Sequence, residues 1–180
     1  MSTYIALLRA VNVGGRSLAM AQLRDLLQRL GAENPRTLLQ SGNAVFAMNT
    51  AVSAAALEAK LEQAAQREFG MPVTFMLRTL KEWKSIVAGN PFAAAAQDDP
   101  AHLLLLALKS APTAMAVQGL LDAYRGPETI RVVGRNAYLI YPEGVGRSKL
   151  SNALLERKLG VAGTARNWNT ICKLAALAAA

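Results

Sequence analysis

Two short apolar runs constrain the fold of this chain more than any other feature. They are Tyr4-Ile5-Ala6-Leu7-Leu8 and Leu103-Leu104-Leu105-Leu106-Ala107-Leu108. A strand covered on one face alternates apolar with polar residues, whereas a central strand covered on both faces reads as a near-continuous apolar stretch. Both runs are of the second kind. Neither approaches the roughly 20 residues that a membrane-crossing helix needs.

The two runs are succeeded by the same order of elements. After the first comes a loop at Val11–Ser17 and then a helix over 19–30, with Met20, Leu23, Leu26, Leu27 and Leu30 in one stripe and Gly31 as its stop. Strands at Thr37–Gln40 and Ala44–Met48 are joined through Ser41-Gly42-Asn43, a hairpin-type turn. Ser53 caps a helix running to Glu68, Gly70 ends it, and Val73–Arg78 is a further strand. Thr79-x-x-Glu82 is a capping box that opens a short helix bearing Leu80, Trp83, Ile86 and Val87.

After the second run, Thr113 caps a helix carrying Val117, Leu120, Leu121 and Tyr124. Thr129–Val133 and Ala137–Tyr141 form a hairpin around Gly134-Arg135-Asn136. Ser148 is placed to cap a helix to Leu159, and an extended piece at Val161–Ala165 precedes a last helix from Trp168 to Leu177. The order βαββαβ, met twice, predicts an α+β protein of two ferredoxin-like halves with an additional C-terminal helix. The halves correspond in element order and not visibly in residues. The division expected is residues 1–91 with the connecting helix, a linker over 92–101, and residues 102–180.

Composition excludes several classes. A chain of 180 residues with 52% apolar and 18% charged residues is globular and large enough to fold without cross-links. Cys172, the single cysteine, leaves no disulfide framework or thiolate zinc cluster; on its helix it reads as an inert, partly buried thiol. The start lacks a basic segment before a hydrophobic core, so no secretion signal is read and the expected location is the cytoplasm. A net charge of +8 favours polyanions, phosphates or acidic partners, although its Lys and Arg form no run of three.

Four polar, glycine- or asparagine-bearing segments stand out as candidates for chemistry. Arg9-Ala10-Val11-Asn12-Val13-Gly14-Gly15-Arg16 joins a strand to a helix, where backbone N–H groups and the helix terminus favour an anion. It is neither a Walker loop nor a dinucleotide fingerprint, and a plain glycine turn with a solvated arginine explains most of it. In Gln40-Ser41-Gly42-Asn43, turn chemistry accounts for Ser41 and Asn43. Gly144-Val145-Gly146-Arg147-Ser148-Lys149 brings two cations to a Gly-rich helix start, the donor set a phosphate takes. In Arg166-Asn167-Trp168-Asn169-Thr170, Asn167 or Asn169 caps the last helix. Trp168 is either a stacking platform beside Arg166 or, more commonly for a tryptophan, packing against its surroundings.

The loops hold almost no acid, Glu143 at the border of the third excepted. His102 opens an apolar strand and reads as a satisfied core histidine. No catalytic triad, Cys–His pair, metal cluster or cofactor fingerprint is assembled, so no metal or cofactor is expected.

The same segments carry a resemblance. Tyr4 to Gly15, Met20-Ala21-x-Leu23-Arg24, Gln40 to Phe46, Gly146-Arg147-Ser148-Lys149-Leu150 and Arg166 to Thr170 together resemble the bacterial family called domain of unknown function 1697. Ala10 and Ala19 depart from it, standing where glycine and proline are usual. The resemblance implies two ferredoxin-like subdomains and no particular activity.

Three functional readings remain open on the residues. One is a binding protein for a phosphorylated or nucleotide-like anion, or a nucleic acid, held by Arg9, Asn12, Gly14, Gly15, Arg16, Arg147, Ser148, Lys149, Arg166 and Asn169. The second is an enzyme acting on such a ligand through Arg and Lys. The third is a protein-interaction module with no small ligand.

Overall fold

In the computed structural model, β1 (Ser2–Arg9) is paired on both sides, antiparallel to β3 (Asn43–Met48) and to β4 (Thr74–Thr79). β2 (Glu33–Thr37) adds to β3, giving the sheet order β2-β3-β1-β4. The structure describes residues 1–9 and 11–180. Ala10, part of the first candidate loop and one of the two departures from the family pattern, lies outside the described residues. The apolar run of β1 is buried on both faces as expected, with Tyr4, Ile5, Ala6, Leu7 and Leu8 all nearly inaccessible. Alternate residues Tyr4, Ala6 and Leu8 share one cluster with Leu23, Leu26 and Leu27 of α1 (Met20–Arg29) and Leu57, Leu61 and Ala65 of α2 (Ala54–Phe69). Fully burying a leucine is worth about 1.5–3 kcal/mol, so these two helices hold the sheet by their apolar faces.

α3 (Leu80–Ala88) follows β4 without a break. Its capping box is the expected one: Glu82 N donates to Thr79 Oγ1 at 3.2 Å, and Thr79 N to the Glu82 carboxylate at 2.7 Å. α4 (Ala93–Asp98) then leads to β5 (Leu103–Leu108), α5 (Ala114–Ala123), β6 (Thr129–Val133), β7 (Asn136–Ile140), α6 (Asn152–Leu159), β8 (Gly163–Asn167) and α7 (Trp168–Ala179). The second sheet has the order β6-β7-β5-β8, every neighbour antiparallel. None of its helices, nor any other among the described residues, is long and apolar enough to cross a membrane.

Two compact units result: Met1–Ser85 with Lys173–Ala180, and Ile86–Cys172. The sequence places the division inside 92–101. That stretch instead contains α4, because an alanine run costs little to hold in a helix.

The units correspond residue by residue, which the sequence does not show. In the first, Ile5 faces Val45 and Arg78; in the second, Leu105 faces Tyr138 and Arg166. Leu8 N donates to Gly42 O at 2.8 Å, and Leu108 N to Arg135 O at 2.9 Å. Asn43 and Asn136 occupy the same place, opposite Leu7 and Ala107.

Two elements differ from their sequence reading. β2 lies earlier than Thr37–Gln40 and takes in Asn34-Pro35. Asn34 takes φ 48°, and the pairing slips between Glu33 and Arg36, a bulge on an edge strand where proline is tolerated. α6 is capped by Ser151, whose Oγ accepts from Leu154 N at 3.1 Å, and not by Ser148. Ser148 closes a 3₁₀ turn at Val145–Arg147 instead.

Gly42 is where the two loops beside β1 meet. Its φ is 81°, and a Cβ there would lie 2.5 Å from Val11 Cγ2 and 2.8 Å from Leu8 Cβ. Gly15 has φ 82° but open space around it. Gly15→Ala therefore meets backbone strain alone, about 1–2 kcal/mol. Gly42→Ala adds overpacking against the central strand, for a total of about 2–5 kcal/mol. Urea unfolding of the two variants checks this; equal losses would refute the close approach.

Candidate functional site

The first two candidate segments come together, and most of their polarity is spent on doing so. Asn12, at φ 54°, donates through Nδ2 to Leu18 O at 3.0 Å and to Gln40 O at 2.6 Å, while its Oδ1 accepts from Leu18 N at 2.6 Å. Asn43 is fully buried and donates to Leu38 O at 2.7 Å and Ser41 Oγ at 3.0 Å. Both asparagines brace the loops, as turn chemistry suggests for Asn43. Arg9, at the end of β1, is half-buried. Gly14, Gly15 and Arg16 stay open to solvent.

The third segment forms one wall of a cavity of about 450 Å³ in the second unit. It is lined by Tyr124, Arg125, Gly126, Pro127, Glu128, Glu143, Arg147, Ser148 and Lys149. The wall is set from below. Tyr141, buried at the end of β7, donates its hydroxyl to Leu150 O at 2.9 Å, and Gly144 N donates to Tyr141 O at 3.0 Å. Burial, then the negative Glu128 and the nearby Tyr124, push the Tyr141 hydroxyl pKa up, so it stays a donor at any physiological pH. Gly144 takes φ 79° to enter the 3₁₀ turn, which holds Arg147 and Lys149 outward on either side of Ser148.

Glu128 is the residue that sequence reasoning missed. Its two carboxylate oxygens accept from the Ser148 hydroxyl and the Tyr124 hydroxyl, and Ser148 Oγ in turn accepts from Leu150 N at 2.9 Å. Burial works to raise the Glu128 pKa, but the hydrogen bonds from Ser148 and Tyr124 outweigh it and hold the carboxyl below its ordinary value. Burial first, and Glu128 next, push the Tyr124 pKa up to about 12. The sequence signal for this wall is the Tyr124-Arg125-Gly126-Pro127-Glu128 turn, which precedes a strand and so escapes any search for helix starts. Arg125 Nη1 is turned to Leu121 O and Tyr124 O. Arg147 and Lys149 have no protein partner for their side chains among the described residues.

Arg166, Asn167 and Trp168 of the fourth segment are engaged with the structure around them. Arg166 Nη1 donates to Thr164 Oγ1 and Ala165 O, both at 2.8 Å, and burial lowers its pKa to about 10. Asn167 Oδ1 caps α7, accepting from Thr170 N at 3.0 Å. Trp168 is 4% exposed with its ring 6.2 Å from that of Tyr138. The packing alternative for this tryptophan is the one observed. Asn169 is exposed.

Two other residues depart from expectation. His102 lies just ahead of β5 with its side chain 42% exposed, and Nδ1 is 2.7 Å from the Asp99 carboxylate. It is not a core histidine, because the strand begins one residue later and the ring follows the turn outward. Cys172 is on the exposed side of α7, though burial of part of the residue still raises its thiol pKa, consistent with low reactivity. No cluster of three His, Cys, Asp or Glu able to hold a metal occurs among the described residues.

Residues 1–138 match the family described as protein of unknown function (DUF1697). The chain belongs to this family. The match covers the first and second loops of the DUF1697 pattern and stops ahead of the third and fourth. The structure of the conserved bacterial protein SP0830 from Streptococcus pneumoniae is similar over 100% of this chain and 99% of its own, at 24% identity and a TM-score of 0.78. That likeness extends the shared fold through the Gly144–Lys149 wall. No curated protein matches the chain.

Because the folded pKa of Glu128 is depressed, its contribution to stability is present above the unfolded carboxyl value of about 4.3 and is lost as pH falls through the folded value. Glu128→Gln is expected to lower stability at pH 7, by under about 1 kcal/mol at so open a site, with the gap to wild type closing below pH 4. Urea midpoints across pH 3–7 test it; a gap indifferent to pH would show the carboxylate charge to be irrelevant.

Proposed function

We propose that this protein binds a phosphorylated or nucleotide-like anion at the cavity walled by Gly144–Lys149. The observation that carries the reading is the pair Arg147 and Lys149, exposed on either side of Ser148 at the end of the 3₁₀ turn and unoccupied by any protein acceptor among the described residues. Arg125 adds a third cation to the lining, against Glu128 and Glu143. Glu128 keeps its negative charge, but both of its oxygens are already engaged by hydroxyls of the lining. Ser148 is held by Glu128 and Leu150 N, so its role here is to fix the turn rather than to bind. Arg16 beside the open Gly14 and Gly15 offers a lesser cradle of the same kind in the first unit.

The strand orders β2-β3-β1-β4 and β6-β7-β5-β8, each with helices packed on one face, support reading both units as ferredoxin-like. The basic surface and apolar content accord with a cytoplasmic protein that meets phosphorylated metabolites or nucleic acid.

A thermal-shift series with nucleotides, sugar phosphates and short oligonucleotides is the test. A ligand at 100 times its Kd stabilises by about 2.7 kcal/mol, a clear rise in Tm. The rise is expected with wild type and lost in Arg147→Ala/Lys149→Ala, with the unliganded Tm unchanged because both side chains are exposed and unpaired. For an oligonucleotide the affinity should fall steeply with salt. No rise with any phosphorylated compound, or a rise that survives the double substitution, would count against the proposal.

A further inference from the structure

Four strands lie at the edges of the two sheets: β2, β4, β6 and β8. An edge presents a row of unpaired N–H and C=O groups, and proteins close such rows to avoid unwanted pairing. Three of the four are closed here. On β4, Phe75 N donates to Glu62 at 2.9 Å, Leu77 N to Glu58 at 2.7 Å, and Leu77 O accepts from Arg78 at 2.9 Å. On β8, Gly163 N donates to Glu156 at 2.8 Å, Gly163 O accepts from Asn152 at 3.2 Å, and Ala165 O accepts from Arg166 at 2.8 Å. β2 is interrupted by Pro35, which has no N–H, and by its bulge.

β6 has none of these devices. Its five residues pair with β7 in unbroken register from Thr129 to Val133, with no proline and no bulge. No side chain among the described residues bonds to its backbone. Alternate residues of a strand paired on one side direct their N–H and C=O groups away from the partner, so β6 keeps an open hydrogen-bonding row. Beside it is a depression of about 250 Å³ lined by Leu121, Tyr124, Gly126 and Glu128 and by Thr129, Ile130 and Arg131, with the Glu128 carboxylate already engaged by the hydroxyls of Tyr124 and Ser148. Leu121 is 38% and Val133 56% exposed, giving apolar contacts along the row.

We infer that β6 is a docking edge for an extended acidic peptide, which adds as a further strand to the second sheet with side chains alternately entering the depression beside α5. The choice of an acidic partner rests on charge. Arg131 stands exposed in the middle of β6 with no protein partner among the described residues, and the chain carries a net +8. A second copy pairing antiparallel about Arg131 would set Arg131 against itself, which like charges directly opposite disfavour. Main-chain bonds supply affinity in this mode and alternate side chains supply selectivity. The depression shares Tyr124, Gly126 and Glu128 with the anion cavity, but the inference uses neither Arg147 nor Lys149.

The test titrates the full-length protein with a short peptide alternating valine with glutamate, followed by amide NMR and hydrogen exchange. Expected are shifts concentrated on Thr129–Val133 and Leu121, slowed exchange of the outward amides of β6, and an affinity at least about tenfold below this for the valine–lysine counterpart. The same peptide N-methylated at alternate amides should lose binding, Arg131→Glu should reverse the preference to the lysine peptide, and Arg147→Ala/Lys149→Ala should bind as wild type does. Absence of shifts in β6 would overturn the inference. So would binding that survives N-methylation, binding lost with Arg147 and Lys149, or β6 protection that rises with protein concentration alone, the mark of a second copy.

Discussion

A glutamate on a helix accepting a backbone N–H from an outer strand is the interaction on which both units depend. Glu62 takes Phe75 N in the first, and Glu156 takes Gly163 N in the second, at corresponding places opposite Leu8 and Leu108. An unpaired N–H buried at such a place would cost about 1–3 kcal/mol, and a charged acceptor is among the stronger partners available to it. The bond does more than satisfy a donor. It ties α2 to β4 and α6 to β8, so that the helix over each sheet is held by its polar as well as its apolar side. Arg78 and Arg166 finish the same edges from the strand itself.

This closing also explains which of the donor-rich segments are free to act. Arg166, Asn167, Asn12 and Asn43 have the polarity and turn positions of ligand groups, yet each is committed to the backbone around it. Among the groups left over are Arg16 beside two glycines, Arg147 and Lys149 at the end of the 3₁₀ turn, and Asn169. Two exposed cations therefore stand beside the cavity on the loop between β7 and α6, where Tyr141 holds the backbone and Glu128 holds the Ser148 hydroxyl.

Much of the fold was legible in the sequence, for identifiable reasons. Strands buried on both faces announce themselves as continuous apolar runs, and caps such as Ser53, Thr79 and Thr113 follow local rules that tertiary packing does not override. β2 lies earlier than its sequence reading because an edge strand with a bulge accepts Pro35. Ser148 and Ser151 are equally good caps by type, and only the pull of Glu128, distant in sequence, separates them. The duplication was hidden because equivalent positions share a role and not a residue: Gly42 with Arg135, Phe75 with Gly163. Of the cavity's two walls, one was legible as a donor-rich segment. Arg147 and Lys149 stand out by their glycine-rich loop, whereas the opposite wall belongs to a turn that no helix-start rule marks.

Native-state hydrogen exchange on the free protein separates the edges β4 and β8, whose outward amides are taken by helix carboxylates, from the open edge β6. The account predicts slow exchange for the amides of Phe75, Leu77 and Gly163, near that of the central strands, and exchange faster by orders of magnitude at alternate residues of Thr129–Val133. Rapid exchange at Phe75 and Leu77, or uniform protection along β6 in dilute protein, would contradict it.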